Sequence, residues 1–63
     1  MNKFKEYREK VKMTQCEVAN RLGIEQGTIS MWETDKNYPS IKYLMQLAEL
    51  YECTTDELLS LKK

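Results

Sequence analysis

Residues 15–34 read QCEVANRLGIEQGTISMWET, and the spacing within this stretch decides the fold. Thr14 stands just before it as an N-cap, and Glu17 follows three residues later. That pair is a capping box, in which each side chain accepts the other residue's backbone N–H. Met13, preceding the cap, is placed to pack on Val18 as a hydrophobic staple. Val18, Ala19 and Leu22 form the apolar face of the helix that begins here. Gly23 ends it, because a left-handed residue after a helix is easiest without a Cβ. A second helix is expected from Glu25 or Gln26 to Thr34. On a 100° wheel Ile29 and Trp32 point to one side. Gly27, Ser30, Met31 and Thr34 point to the other, with Gln26 and Glu33 on the flanks. Two helices of about eight residues therefore flank a tight turn that contains glycine.

Outward from this unit the chain is also helical. Phe4, Tyr7 and Val11 make one apolar stripe on a helix from about Lys3 to Val11. Residues 35–39, DKNYP, have turn chemistry. Ser40 is expected to cap a helix over roughly residues 41–51, with Ile41, Leu44, Leu47, Ala48 and Tyr51 at helical spacing. Thr54 and Glu57 form a second capping box, opening a short helix that holds Leu58, Leu59 and Leu61. No segment alternates with period two, so strands are not expected. The expectation is an all-α fold of five short helices, one domain over residues 1–63 with its helix-turn-helix unit at about 15–34. A chain of 63 residues buries about 60% of its unfolded surface, enough for one compact core.

Composition removes several functions. Ten basic and ten acidic residues give a formal net charge of zero, so a broad positive field is excluded. The charge is uneven: Lys3, Lys5, Arg8, Lys10 and Lys12 outnumber Glu6 and Glu9, whereas Glu25, Glu33 and Asp35 outnumber Lys36. Any anion-binding surface is local. There is no histidine, and Cys16 and Cys53 form no CxxC pair, so neither a metal centre nor a nucleophile–base pair is expected. Catalytic residues, metal and cofactors are therefore all assigned as none, and the chain is read as a non-enzyme. No signal peptide and no membrane-length apolar run is present, which points to a reducing cytoplasm and free thiols. Cys53 reads as core filler; Cys16, near a helix N-terminus, leaves redox sensing as a minor alternative.

The tight turn fixes the two central helices at a large angle, as a helix-turn-helix does. The second helix can then enter a major groove while the first lies across the backbone. From about residue 4 to 60, nearly its whole length, the chain resembles the Cro/repressor-type helix-turn-helix, or XRE, family. The resemblance rests on Tyr7-Arg8, Met13-Thr14-Gln15, Glu17-Val18-Ala19, Leu22-Gly23-Ile24, Gln26, Thr28-Ile29-Ser30, Trp32-Glu33, Tyr38-Pro39-Ser40 and Asp56-Glu57-Leu58-Leu59. It implies a lambda-repressor-like domain of five helices. It also implies a homodimeric transcriptional regulator, most often a repressor, on a near-palindromic operator in double-stranded DNA. No membrane or small-molecule partner is implied.

The resemblance places base reading at Gln26, Gly27 and Met31. A carboxamide at 26 donates and accepts at once, which suits adenine N6 and N7. Gly27 only permits close backbone approach, Met31 offers apolar contact to a thymine methyl, and Thr28 adds a hydroxyl or a methyl. Phosphate contacts are assigned to Gln15 at a helix N-terminus, to Lys36, Asn37 and Tyr38 after the recognition helix, and to Arg21 and Ser30. For each polar residue the alternative is a solvated side chain. Glu25 and Asp35 would repel phosphate. Arg8 and Glu33 are implied to form a structural ion pair, and Trp32 reads as core. Lys12 stands where the family often has glycine, and would carry strain if its backbone is left-handed.

The sparse readout and the uncharged face of the second helix keep a rival open: a protein-interaction module, antitoxin-like or regulator-binding, with little or no DNA affinity. For a dimer surface the sequence offers Leu61, Tyr43 and Tyr51, each of which could equally be core.

Overall fold

The computed structural model describes residues 2–60, which form five helices: α1 (Phe4–Lys10), α2 (Gln15–Leu22), α3 (Gln26–Glu33), α4 (Ile41–Leu50) and α5 (Thr55–Leu58). Both capping boxes close. Thr14 Oγ1 accepts from Glu17 N at 3.1 Å while Glu17 Oε1 accepts from Thr14 N at 2.8 Å. Thr54 and Glu57 repeat the arrangement at 3.1 and 2.9 Å. Gly23 has φ +72°, and its left-handed turn lets Ile24 N donate to Ala19 O, so α2 stops there. Ser40 does occupy the N-cap position of α4, but its side chain makes no capping hydrogen bond. Its extended backbone alone starts the helix. The start of α1 uses a residue that the sequence did not advertise: Asn2 Oδ1 accepts from Phe4 N at 3.0 Å.

The core draws residues from all five helices, Phe4 of α1 and Leu58 of α5 among them. Phe4, Val18, Ala19, Ile29, Trp32, Leu47, Ala48, Tyr51 and Leu58 are buried there. Ala19 and Ala48 are small where α2 and α4 meet the other core residues. Trp32 packs its ring 5.9 Å from that of Tyr43. Lys3 N donates to Leu58 O at 2.8 Å, which ties the start of the chain to α5. Ile41 departs from the expected stripe. It is 75% exposed, because it begins α4 before the helix reaches the core. Of the three residues offered for a dimer surface, Tyr51 is core, Tyr43 is half-buried, and Leu61 lies outside the described residues. Cys53 is half-buried against the core and burial pushes its thiol pKa up, whereas Cys16 is exposed.

Among the described residues, four that are not glycine have positive φ: Lys12, Asp35, Glu52 and Ser60. Each follows a helix end. Lys12, at φ +60°, makes the turn between α1 and α2, and its N–H donates to Glu9 O at 3.0 Å. A left-handed lysine costs about 1 kcal/mol relative to glycine. Lys12→Gly is therefore expected to stabilise the fold by up to about 1 kcal/mol, raising Tm by about 4–8 °C in thermal unfolding.

Burial of Tyr51 raises its phenol pKa well above the ordinary 10; the Glu33 carboxylate adds to the rise and Arg8 opposes it. A group whose pKa is higher in the folded state contributes stability that is whole below the unfolded value and lost as pH climbs past it. Denaturant midpoints should accordingly fall above pH 10, and Tyr51→Phe should flatten that fall.

Candidate nucleic-acid interface

Four side chains from three helices form one hydrogen-bonded chain. Arg8 of α1 grips Glu33, the last residue of α3, with Nε to Oε2 at 2.6 Å and Nη2 to Oε1 at 3.2 Å. Its remaining nitrogen, Nη1, donates to Met13 O at 2.8 Å, which fixes the turn into α2. The pair is well shielded, with the Arg8 and Glu33 side chains 10% and 4% exposed. The Glu33 hydrogen bond holds the Arg8 guanidinium pKa above its ordinary value, against the opposing effect of burial. Glu33 Oε1 also accepts from Gln15 Nε2 at 2.9 Å, at the start of α2. Gln15 Oε1 in turn accepts from Gln26 Nε2, at the start of α3.

This chain leaves specific valences free. An amide nitrogen carries two hydrogens, so Gln26 keeps one N–H and its oxygen, and Gln15 keeps one N–H. A held carboxamide with a free donor and a free acceptor is what an adenine edge requires. The free N–H of Gln15, at a helix N-terminus, is suited to an anionic oxygen. Sequence reasoning placed Gln15 and Gln26 separately and missed that each orients the other. Only the juxtaposition of the two helix starts reveals it.

The remaining candidates distribute around α3. Gly27 and Met31 are exposed, and Thr28 and Ser30 are half-buried. A Cβ built on Gly27 would meet nothing within 4 Å, and its φ is not positive. The fold itself therefore does not demand glycine there, and glycine on an exposed helix costs about 1 kcal/mol against alanine. Ser30 O accepts from Thr34 Oγ1 at 2.9 Å. Lys36, Asn37 and Tyr38 are exposed beyond the far end of α3, roughly 12 Å along the helix from Gln26. Their loop is folded back by Lys36 N and Asn37 N, which both donate to Met31 O. Asn37 Oδ1 is taken by Tyr38 N at 2.8 Å, leaving its amide nitrogen available. Arg21 stands apart from this surface. It lines an open groove with Leu22, Gln46, Glu49 and Leu50, between α2 and α4.

Two carboxylates near the surface behave differently. Asp35 accepts at Oδ1 from Asn2 Nδ2, 2.7 Å away, and the same nitrogen donates to Trp32 O at 2.8 Å. That amide partly offsets the Asp35 charge. Glu25 is exposed at the N-cap position of α3, with no capping hydrogen bond. No group of three or more histidine, cysteine or acidic residues that could hold a metal occurs among the described residues. No helix of the described residues is long and apolar enough to cross a membrane.

Removing one side of a shielded ion pair leaves the other charge without compensation, at a cost of about 3–5 kcal/mol. Glu33→Ala should lower Tm strongly, and should also release Gln15 and Gln26. An unchanged melting curve would remove the pair from its structural role.

Comparison with known proteins identifies the family to which this fold belongs. The helix-turn-helix family model matches residues 4–58. The chain is 34% identical over 58 residues to the HTH-type transcriptional activator BcrR of Enterococcus faecalis, covering 92% of this chain and 28% of that protein. It is 34% identical over 56 residues to an uncharacterized HTH-type transcriptional regulator of Archaeoglobus fulgidus, covering 89% of this chain and 79% of that one. It is 39% identical over 57 residues to the HTH-type transcriptional regulator ImmR of Bacillus subtilis, covering 90% and 45%. The chain thus spans about a quarter, four-fifths and under half of these relatives. With five helices, no strand among the described residues and a family match over nearly its whole length, the chain belongs to the XRE-type helix-turn-helix family and has the lambda-repressor-like fold.

Proposed function

We propose that this chain is a sequence-specific DNA-binding domain of a transcriptional regulator, acting as a homodimer on a near-palindromic operator with α3 in the major groove. The observation that carries the reading is the Gln15–Gln26 contact, which holds a carboxamide at the exposed start of α3 with one donor and one acceptor free. Gln26 reads a base edge, adenine by preference. Gly27 lets the backbone come close to DNA, and Thr28 and Met31 offer methyl contact to thymine. Gln15, Ser30, Lys36, Asn37 and Tyr38 supply phosphate contacts that set the register, with Arg21 at the margin of the footprint. The relatives' names, two regulators and one activator, support transcriptional control. Repression is the simplest mode, since occupying a promoter needs only binding, whereas activation needs a further contact to the transcription machinery.

A protein-interaction role is favoured by one observation: α3 carries no basic residue in its last turn, and exposed Glu25 stands at its start. Selection of genomic fragments on the purified protein near 100 mM salt separates the readings. An inverted repeat should be enriched, and a reporter behind it should fall in expression. A folded protein that enriches nothing would favour the interaction role.

On the selected site, Gln26→Ala should cost about 1–3 kcal/mol and relax specificity at one base. Lys36→Ala should weaken all sequences alike and reduce the salt slope by about 1. Gly27→Ala should leave the fold intact, or up to about 1 kcal/mol more stable, yet weaken DNA binding. Fluorescence anisotropy against salt concentration, beside thermal melts, measures all three.

A further inference from the structure

Among the described residues, three of the four exposed large apolar side chains lie within residues 38–45: Tyr38 at 64%, Ile41 at 75% and Met45 at 61%. Ile41 and Met45 sit on the outward half of α4 with Lys42 and Glu49, while Leu47 and Ala48 face the core. Lys42, Met45 and Glu49 follow the i, i+3, i+7 spacing of a helix-pairing seam, spanning about 10 Å. The seam is self-complementary. Two such helices placed antiparallel about a two-fold axis between positions 45 and 46 bring each Lys42 to the other's Glu49 and the two Met45 side chains together.

The charges also oppose the helix that carries them. Lys42 lies near the positive N-terminal end of α4 and Glu49 near its negative C-terminal end, each the unfavourable sign. Neither has an ion-pair partner among the described residues. Lys42 Nζ only lies 5.4 Å from the Tyr43 ring. Glu49 shares the open α2–α4 groove with Arg21 but makes no salt bridge with it; the helix dipole accounts for neither charge, whereas an antiparallel second copy pairs both.

We propose that α4 is the self-association surface of this chain, and that its occupant is α4 of a second copy, packed antiparallel through Met45 and two reciprocal Lys42–Glu49 pairs. The inference rests on the homodimer reading above and assigns its surface. A ten-residue helix face buries less than the roughly 800 Å² per partner of a standard interface, so association without DNA is weak.

Sedimentation velocity from about 20 µM to 1 mM, without DNA, tests it. The wild-type chain should shift from monomer to dimer across that range. Lys42→Glu and Glu49→Lys alone each create two like-charge contacts and should weaken the dimer about tenfold or more. An equimolar mixture of these two variants should recover it, because every contact in the mixed dimer is again of opposite sign. The double variant K42E/E49K should recover it as well. That variant aligns both charges with the helix dipole, so it remains folded, and thermal melts confirm this for every variant.

A wild-type monomer at about 1 mM overturns the proposal and leaves the face to a different protein. A dimer indifferent to the single reversals, or a mixture that fails to recover, overturns the α4 assignment while the homodimer reading stands. Fragment selection with the K42E chain keeps DNA recognition separate: Gln26 is untouched there, so loss of dimer does not count against base reading.

Discussion

The guanidinium of Arg8 meets the carboxylate of Glu33 at 2.6 Å, where neither side chain is more than 10% exposed. Two charges in that position require full compensation, since a buried lone charge costs several kcal/mol. The structure supplies it: every nitrogen of the Arg8 guanidinium donates, and Glu33 accepts from Gln15 as well. The consequence is geometric. Arg8 is on α1, Glu33 closes α3 and Gln15 opens α2, so satisfying one ion pair fixes three helices. It also fixes the turn at Met13, whose carbonyl Arg8 caps. Packing of the apolar core is compatible with some sliding of helices; a forked arginine is not.

From that constraint the proposed interface follows. Gln26 is two hydrogen bonds away from Glu33, through Gln15, although 26 and 33 lie at opposite ends of α3. The ordering of the Gln26 carboxamide, the side chain proposed to read a base, is thereby coupled to the stability of the fold. An ordered carboxamide gives up less rotamer freedom on binding than a free one. This compensates a surface that has little else to offer: α3 has no basic residue in its last turn, and the chain has no net charge. In the proposed reading, the few contacts must be well ordered to discriminate between sequences, and the shielded ion pair holds the Gln15–Gln26 carboxamides in place. Tyr51, itself buried, lies near enough to both charges for Glu33 to raise its phenol pKa and Arg8 to oppose the rise.

The chain also tolerates local strain where the tertiary structure needs a sharp turn. Lys12, Asp35, Glu52 and Ser60 all sit in the left-handed region after a helix end, a role in which Gly23 alone uses glycine. Asp35 shows how one such turn is held. Asn2 spans it, joining the Asp35 carboxylate and the Trp32 carbonyl to the first residue of α1.

Local interactions were readable from residues alone. The capping boxes at Thr14–Glu17 and Thr54–Glu57, the stop at Gly23 and the apolar faces of α2 and α3 depend on neighbours within four or five positions, and each is where the spacing predicts. The family resemblance extended this to the Arg8–Glu33 pair. The sequence determined the helices, their order and the exposure of Gly27, Met31 and Thr34, while Ser30, expected on the same outward face, is half-buried. It misjudged Ile41, because periodicity marks a face of a helix but not how far along it the core extends. It also gave no sign of Asn2, whose amide nitrogen donates to Trp32 O and Asp35 Oδ1, 30 and 33 residues away. The Gln15–Gln26 contact was decided by the tertiary structure, since it exists only when the two helix starts are brought side by side. So was the emptiness of the outward half of α4. Which face of a helix remains uncovered is a property of everything packed against its other side, and no single stretch of sequence records it.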